Sequence, residues 1–455
     1  MRNCLVWLFV SVFFATAYSQ EVINEHELPD KGSFQNIELL SIGDTIIANL
    51  SMWFQGNAQL SSFVLSPDRK LASLPNLRWA NRKDIAGIVA LPDGRKRIYY
   101  VNQEKKQFTI LASELHFKNR NFADTPGELI LGGQMLGMFT DNNTVVLFYF
   151  DKGTIHEIVL DGLNITNKKS YVLPAGMADV HAREITFFPE GDHVGAVQAK
   201  STLKLILNDE SITAVHDYWG YGYKSVYTTV AICERSSGKV TVKTFPSDGI
   251  LSSTIVDNFL YRTINSKNTF VMEVFDVNSA TKIHEHRIDA SPATEKQMVY
   301  FREGRAHRVS KTESLEHMMH IMKRAAPVEP FVMAQNQGDS VVITWGNYFD
   351  DNGAMGPGGL DPVTGLIIMA VGTTIKQVSP GPGISRYFYL MGNVKGGFTL
   401  KDDPDFLRAR IDLFEMEQQK SEVAKKYGYF NFRGDVIGIY YLPKKNKLKF
   451  VKFQS

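Results

Sequence analysis

The sequence predicts an all-β fold assembled from one repeated antiparallel unit. Three observations carry that prediction. Apolar and polar residues alternate through many short runs, as they do in half-buried strands. The runs end at Gly, Asn, Asp or Lys pairs that suit tight turns. The pattern of strand, turn, strand, short turn and third strand recurs after about 35 to 50 residues, a period typical of stacked small-sheet repeats.

The unit is clearest at 87–111, GIVALPDGRKRIYYVNQEKKQFTIL, with turns at Asp93-Gly94 and near Glu104-Lys105. It returns at 136–160 with turns at Asn142-Asn143 and Lys152-Gly153, and at 185–207 with turns at Gly191-Asp192 and near Ser201. A weaker copy occupies 227–245. Another, at 258–288, turns at Ser266-Lys267 and Asn278-Ser279. The last copy is 427–453, turning at Gly434 and Lys445, and the earliest is 48–74. A small sheet with two apolar faces buries them only by stacking on neighbours, and radial closure leaves few edges exposed.

By this layout the chain resembles the β-propeller superfamily over nearly all of residues 20–455. No signature dipeptide of a named repeat family recurs. The resemblance implies a single propeller domain of seven or eight four-stranded blades, with residues 331–400 holding one irregular blade. A pair of β-sandwiches and an irregular β-solenoid are the rival all-β readings.

Two stretches break the β pattern and are expected to be helical insertions. Residues 310–326 carry Leu315, Met318, Met319 and Met322 at helical spacing, and Pro327 stops the run. Residues 403–428 open on Asp403-Pro404 and close on Lys425-Lys426-Tyr427-Gly428, a cap at one end and a C′ glycine at the other. Leu407, Ile411 and Phe414 mark the apolar face of that second helix.

The first nineteen residues read as a secretory signal peptide: Arg2 precedes an apolar run from Leu5 to Ala15, and Ala17-Tyr18-Ser19 supplies the small residues of a cleavage site. That run is too short to span a bilayer, which takes about 20 apolar residues. Cys233 is the only cysteine beyond the leader, so no intrachain disulfide is available. A large exported domain without disulfides is expected to be bacterial, in the periplasm, at the cell surface or extracellular. The sequons at Asn49, Asn142 and Asn164 matter only in a glycosylating host. With 50 basic and 48 acidic residues the net charge is +2, and no basic block points to nucleic acid.

Several residue groups are candidates for chemistry. On a 310–326 helix Glu313, His317 and His320 fall on one face opposite the Leu/Met stripe, a set able to hold a transition metal and equally able to be a solvated polar face. His284 and His286 share one face of an expected strand, with Glu285 turned away. That spacing reads first as two half-buried imidazoles. Tyr218, Trp219, Tyr221 and Tyr223, with Gly220 and Gly222, form an aromatic loop whose flat rings suit a sugar or a peptide side chain, or else pack beneath the loop.

No GxSxG elbow, GxGxxG or P-loop occurs. Ser385 lies in a Gly/Pro-rich stretch with no partner by spacing, and Arg433-Gly434-Asp435 reads as a tight turn. Carboxylates contributed by distant blades leave no local spacing to find.

The segment Asp350 to Gly365, DDNGAMGPGGLDPVTG, lacks the alternating oxygen ligands of a calcium loop. It divides into a ten-residue glycine-rich insertion, Asp350 to Gly359, and an Asp361–Gly365 turn like that at Asp276–Ala280. The expected function is therefore that of an exported, monomeric binding propeller. It would engage a glycan, a peptide or a surface protein on one face and require no cofactor. A carboxylate-dependent glycoside hydrolase or lyase, and a structural part of a bacterial envelope complex, are the alternatives.

Overall fold

The computed structural model describes residues 20–349, 384–402 and 427–453, apart from short connecting stretches such as 191–198, 220–225 and 290–296. Its strands fall into seven sheets, numbered I to VII here. Sheet I joins Gln20–Glu27 to Tyr427–Phe432, Asp435–Leu442 and Lys447–Phe453. Sheets II to VII follow in chain order over 33–79, 84–132, 134–172, 185–247, 250–289 and 298–400.

Burial runs across each sheet as radial stacking requires. In sheet V Leu203–Leu207 is buried at every position, while the last strand, Val240–Ser247, is largely open. Sheet IV ends on the exposed Asn164–Val172, and sheet VI on the exposed Thr281–Asp289. Between these extremes the strands alternate, as in Thr269–Asp276, where Phe270, Met272 and Val274 point inward.

Neighbouring sheets meet through their inner strands. Ser33–Ile42 of sheet II lies against Tyr427–Phe432 of sheet I, and Asp84–Ala90 of III against Gln134–Asp141 of IV. Ile250–Val256 of VI touches Ser211–Trp219 of V and Glu329–Gln337 of VII. One apolar cluster accordingly runs through IV, V, VI and VII, and another joins I to II.

A repeated device lets the inner strands approach. Sheets II, III and IV each carry a register shift near the start of their first strand, between Phe34 and Asn36, Ile85 and Gly87, and Met135 and Gly137. A Cβ at Gly87 would stand 3.0 Å from the Met138 sulfur, and one at Gly137 would stand 3.2 Å from Phe187 Cε1. In III and IV the glycine after the bulge thus admits a large side chain from the next sheet.

Sheet I joins the two ends of the described chain. Gln20–Glu27 pairs antiparallel with Lys447–Phe453, from Gln20 opposite Phe453 to Glu27 opposite Lys447. The early strand is the outer edge of a sheet whose other three strands come from the far end of the described chain. This topology is that of a β-propeller.

Several expectations are corrected. The copies at 185–207 and 227–245 are not two units: both belong to sheet V, whose first two strands, Ile185–Pro189 and Leu203–Leu207, run parallel. A tight turn at Gly191-Asp192 would have made them antiparallel, and those two residues lie outside the described residues. The irregular unit near 331–400 is sheet VII, and it takes an outer strand, Met298–Gly304, from before its innermost one.

The helix expected at 310–326 is shorter, Leu315–Lys323. Ser310–Ser314 is a strand paired to Met298–Gly304, with Glu313 opposite Val299. The ladder outweighs helical spacing there, and Ser314 caps the helix by accepting the His317 N–H at 3.2 Å. Leu315, Met318 and Met319 bury the helix against sheets VI and VII. Of the second expected helix, 403–426 lies outside the described residues, and Tyr427-Gly428 opens a strand. The leader 1–19 and the segment 350–365 also lie outside them. Among the described residues no helix is long and apolar enough to cross a membrane.

Candidate binding site

Sheet V carries the aromatic group. Ser211–Trp219 and Val226–Glu234 pair with Tyr218 opposite Tyr227 and Trp219 opposite Val226, just before the connection 220–225. Directly opposed residues share a face. Tyr218 and Tyr227 stack with centroids 4.8 Å apart and ring planes 24° from parallel. His216 lies edge-on to Tyr218 at 6.5 Å. Tyr218 is 39% exposed, so the stack presents one open aromatic ledge.

Strand alternation divides the expected cluster. Trp219 faces away from Tyr218, on the side of Asp217, and its buried indole Nε1 has no hydrogen-bond partner among the described residues. Tyr221 and Tyr223 lie outside the described residues. Tyr227 and His216 complete the ledge instead. Reading the hairpin as paired strands would have found Tyr227, because it sits opposite Tyr218.

Behind the ledge lies a polar network with no counterpart in the sequence reading. Lys204 and Asp217 are almost wholly buried, with Nζ and Oδ2 3.7 Å apart. Lys204 donates to Ser253 O at 2.7 Å and to Ser252 Oγ at 3.2 Å. Asp217 accepts the Ser253 N–H at 2.7 Å and the Thr228 hydroxyl at 2.9 Å. Ser252 Oγ also accepts the Val332 N–H, so the network ties sheets V, VI and VII. Burial pulls the Lys204 amine below its ordinary value while the Asp217 charge opposes that fall. With its charges and hydroxyls partnered, the network holds the sheets that carry the ledge. The available signal was a lysine inside the otherwise apolar strand LKLIL.

The other expected site residues are dispersed. Glu313 stands on a strand and His317 on the helix, their Oε2 and Nε2 4.0 Å apart, and the His320 side chain falls outside what is described. Among the described residues no cluster of three His, Cys, Asp or Glu side chains is placed to hold a metal. Ser385 lies within the strand Ile384–Asn393. Cys233 is buried, and its thiol is pushed up to about 12, far from a nucleophile's range.

Four imidazoles, His26, His156, His216 and His286, are held below the ordinary histidine value, in each case chiefly by burial. The unfolded chain then binds protons near pH 6.5 that the folded chain does not. Their contribution to stability is present above that pH and is lost as pH falls below it. The melting temperature is expected to hold from pH 8 to 7 and to decline between about 6.5 and 5, with a smaller decline in His216→Gln. Asp276 and Glu285, held low by the Ser279 N–H and by Lys282 respectively, act only in the more acidic carboxylate range.

No family model matches the chain, and no curated protein does. Among solved structures it is similar to the β-propeller domain of the Trilobed protease from Pyrococcus furiosus, at 8% identity and a TM-score of 0.36, over 92% of this chain and 94% of that one. It is similar also to a cobalt-substituted Synechocystis ACO and to an ACO/RPE65 chimera, each at 8% identity and a TM-score of 0.32. Those two matches span 57% of this chain and 63% of theirs, so the chain matches under two thirds of their length. Likenesses at these scores carry no argument about activity. The strand topology itself places the chain among β-propellers.

Proposed function

We propose that this chain is an exported, monomeric propeller of seven blades, one per sheet, that binds a glycan through the Tyr218/Tyr227 ledge of sheet V. The β-propeller is in general a scaffold for binding and interaction. The observation that carries the reading is the exposed stacked pair of tyrosines beside the 220–225 connection. A flat aromatic face covers the apolar side of a sugar ring with little loss of side-chain freedom. The buried network of Lys204 and Asp217 supports the reading, since it anchors the strand from which Tyr218 projects. Export is supported by the Arg2, Leu5–Ala15 and Ala17-Tyr18-Ser19 pattern of the first nineteen residues.

A glycan array on the purified protein, followed by titration of the best sugar, tests this reading. Tyr218→Ala is expected to weaken binding about tenfold, or about 1.4 kcal/mol, with an unchanged melting temperature and no hydrolysis of the sugar. A silent array, or affinity indifferent to Tyr218→Ala, would sink it. Mass spectrometry of the exported protein is expected to find Gln20 at the N-terminus.

A further inference from the structure

The seam between sheets VI and VII holds a second feature, independent of the aromatic ledge. The outer strand of VI, Thr281–Asp289, faces the last strand of VII, Gly397–Leu400, and the start of the helix Leu315–Lys323. Between them is a cavity of about 190 Å³ lined by His286, Ile288, Gln297, Leu315, Phe398 and Thr399, among others. It exceeds the roughly 150 Å³ of an engineered apolar cavity that accepts benzene, and unlike that cavity it has polar walls.

His284 and His286 stand at i and i+2 of one strand, so both imidazoles project from the same face about 7 Å apart at the backbone. His284 rests against Phe398 at 5.6 Å between ring centroids. The Nε2 atoms of both rings are buried and, among the described residues, have no hydrogen-bond partner. Glu285, between them, turns outward and is held by Lys282 and Arg287. Leaving one buried polar atom unsatisfied costs about 1–3 kcal/mol, and two on one face are an unusual expense for a rim strand. A ligand that accepts two nitrogen lone pairs removes that cost.

We propose that His284 and His286 form a two-imidazole seat for a transition-metal ion of the Zn²⁺ or Cu²⁺ class. Both neutral rings ligate through Nε2, and water held in the cavity beside Gln297 and Thr399 completes the shell. Imidazole nitrogen suits these borderline ions and not Ca²⁺ or Mg²⁺. Ile288, Leu315 and Phe398 supply apolar walls beside the polar ones. Because His284 bears on Phe398, an ion in this seat strengthens the contact between sheets VI and VII.

The test is calorimetric titration of the metal-stripped protein with Zn²⁺, beside electron paramagnetic resonance of a Cu²⁺ sample. One equivalent of Zn²⁺ is expected to bind and to raise the melting temperature. The Cu²⁺ spectrum is expected to carry coupling to two imidazole nitrogens. His284→Gln and His286→Gln should each weaken binding at least tenfold while the metal-free melting temperature and circular dichroism stay near those of the parent. His317→Gln should bind like the parent. Should either histidine variant lose its fold, the Cu²⁺ spectrum of the parent decides alone. Absence of stoichiometric binding, binding that survives in the His284→Gln/His286→Gln double variant, or a Cu²⁺ spectrum without nitrogen coupling overturns the proposal.

Discussion

Asp217→Ala is expected to destabilise the protein by about 3–5 kcal/mol, because it leaves the Lys204 ammonium buried without its counter-charge. The substitution also strips the acceptor from the Ser253 N–H and the Thr228 hydroxyl, which hold sheets V and VI together. The double variant Lys204→Met/Asp217→Leu is expected to recover only part of the loss. It removes both charges but leaves the Ser253 N–H unpartnered. Urea unfolding of Lys204→Met, Asp217→Leu and the double variant gives the coupling energy directly.

Asp217→Asn separates charge from hydrogen bonding. It keeps an acceptor for Ser253 and Thr228 but no longer opposes the desolvation of Lys204, so the lysine's folded value drops further below 10.5. A basic group depressed in the folded state adds stability that is present at high pH and lost as pH falls. This variant should therefore gain stability from pH 7 to 10 relative to the parent. A flat difference across that range would mean that the Asp217 charge does not govern the titration of Lys204 between pH 7 and 10.

Removing Gln20–Glu27 is expected to abolish cooperative unfolding and to drive aggregation. The deletion opens the edge of Lys447–Phe453, whose Leu448, Phe450 and Val451 are buried, to pairing with other chains. A peptide spanning residues 20–28 supplied in trans should restore part of the soluble protein. The ion pairs of Glu25 with Lys449 and of Glu27 with Lys447, both at 3.3 Å, contribute little to this closure at the surface.

The critical point residue is Asn446. It adopts a left-handed backbone conformation, at φ 51°, that most residues avoid. Its side chain accepts the Tyr441 hydroxyl at 2.9 Å and donates to Leu28 O at 2.5 Å, while its own carbonyl accepts the Leu28 N–H. Asn446→Ala forfeits both side-chain bonds and the conformational preference, together about 3 kcal/mol. Thermal unfolding of this variant beside Asn446→Asp and Asn446→Gly divides the loss between hydrogen bonding and backbone strain.

Local pattern was sufficient wherever one residue settles its own conformation. Asp276 caps its turn by accepting the Ser279 N–H at 2.8 Å, as an Asx turn requires, although the left-handed position falls to Ala280, which does not favour it. Lys152-Gly153 turns between paired strands, and His284 and His286 share one face of theirs. Spacing failed at Ser310–Ser314, where a helical stripe coincides with a strand, because the partner Met298–Gly304 supplies a ladder that no local signal announces. It failed again at 185–207, since alternation is the same for parallel and antiparallel neighbours.

The candidate site was legible only as a composition of aromatic residues around Tyr218. Which of them share a surface depends on pairing across the hairpin, and pairing joined Tyr218 to Tyr227 while turning Trp219 away. The sequence by itself determined the repeated β unit, its turns and the apolar faces that demand stacking, because these follow from the side-chain period of an extended chain. Only the tertiary structure decided that Gln20–Glu27 completes the last sheet, that Lys204 meets Asp217, Ser252 and Ser253, and that His286 lines a cavity while His284 rests on Phe398 beside it. Those contacts join residues from separate strands or sheets, and a period describes which face is buried without naming what lies against it.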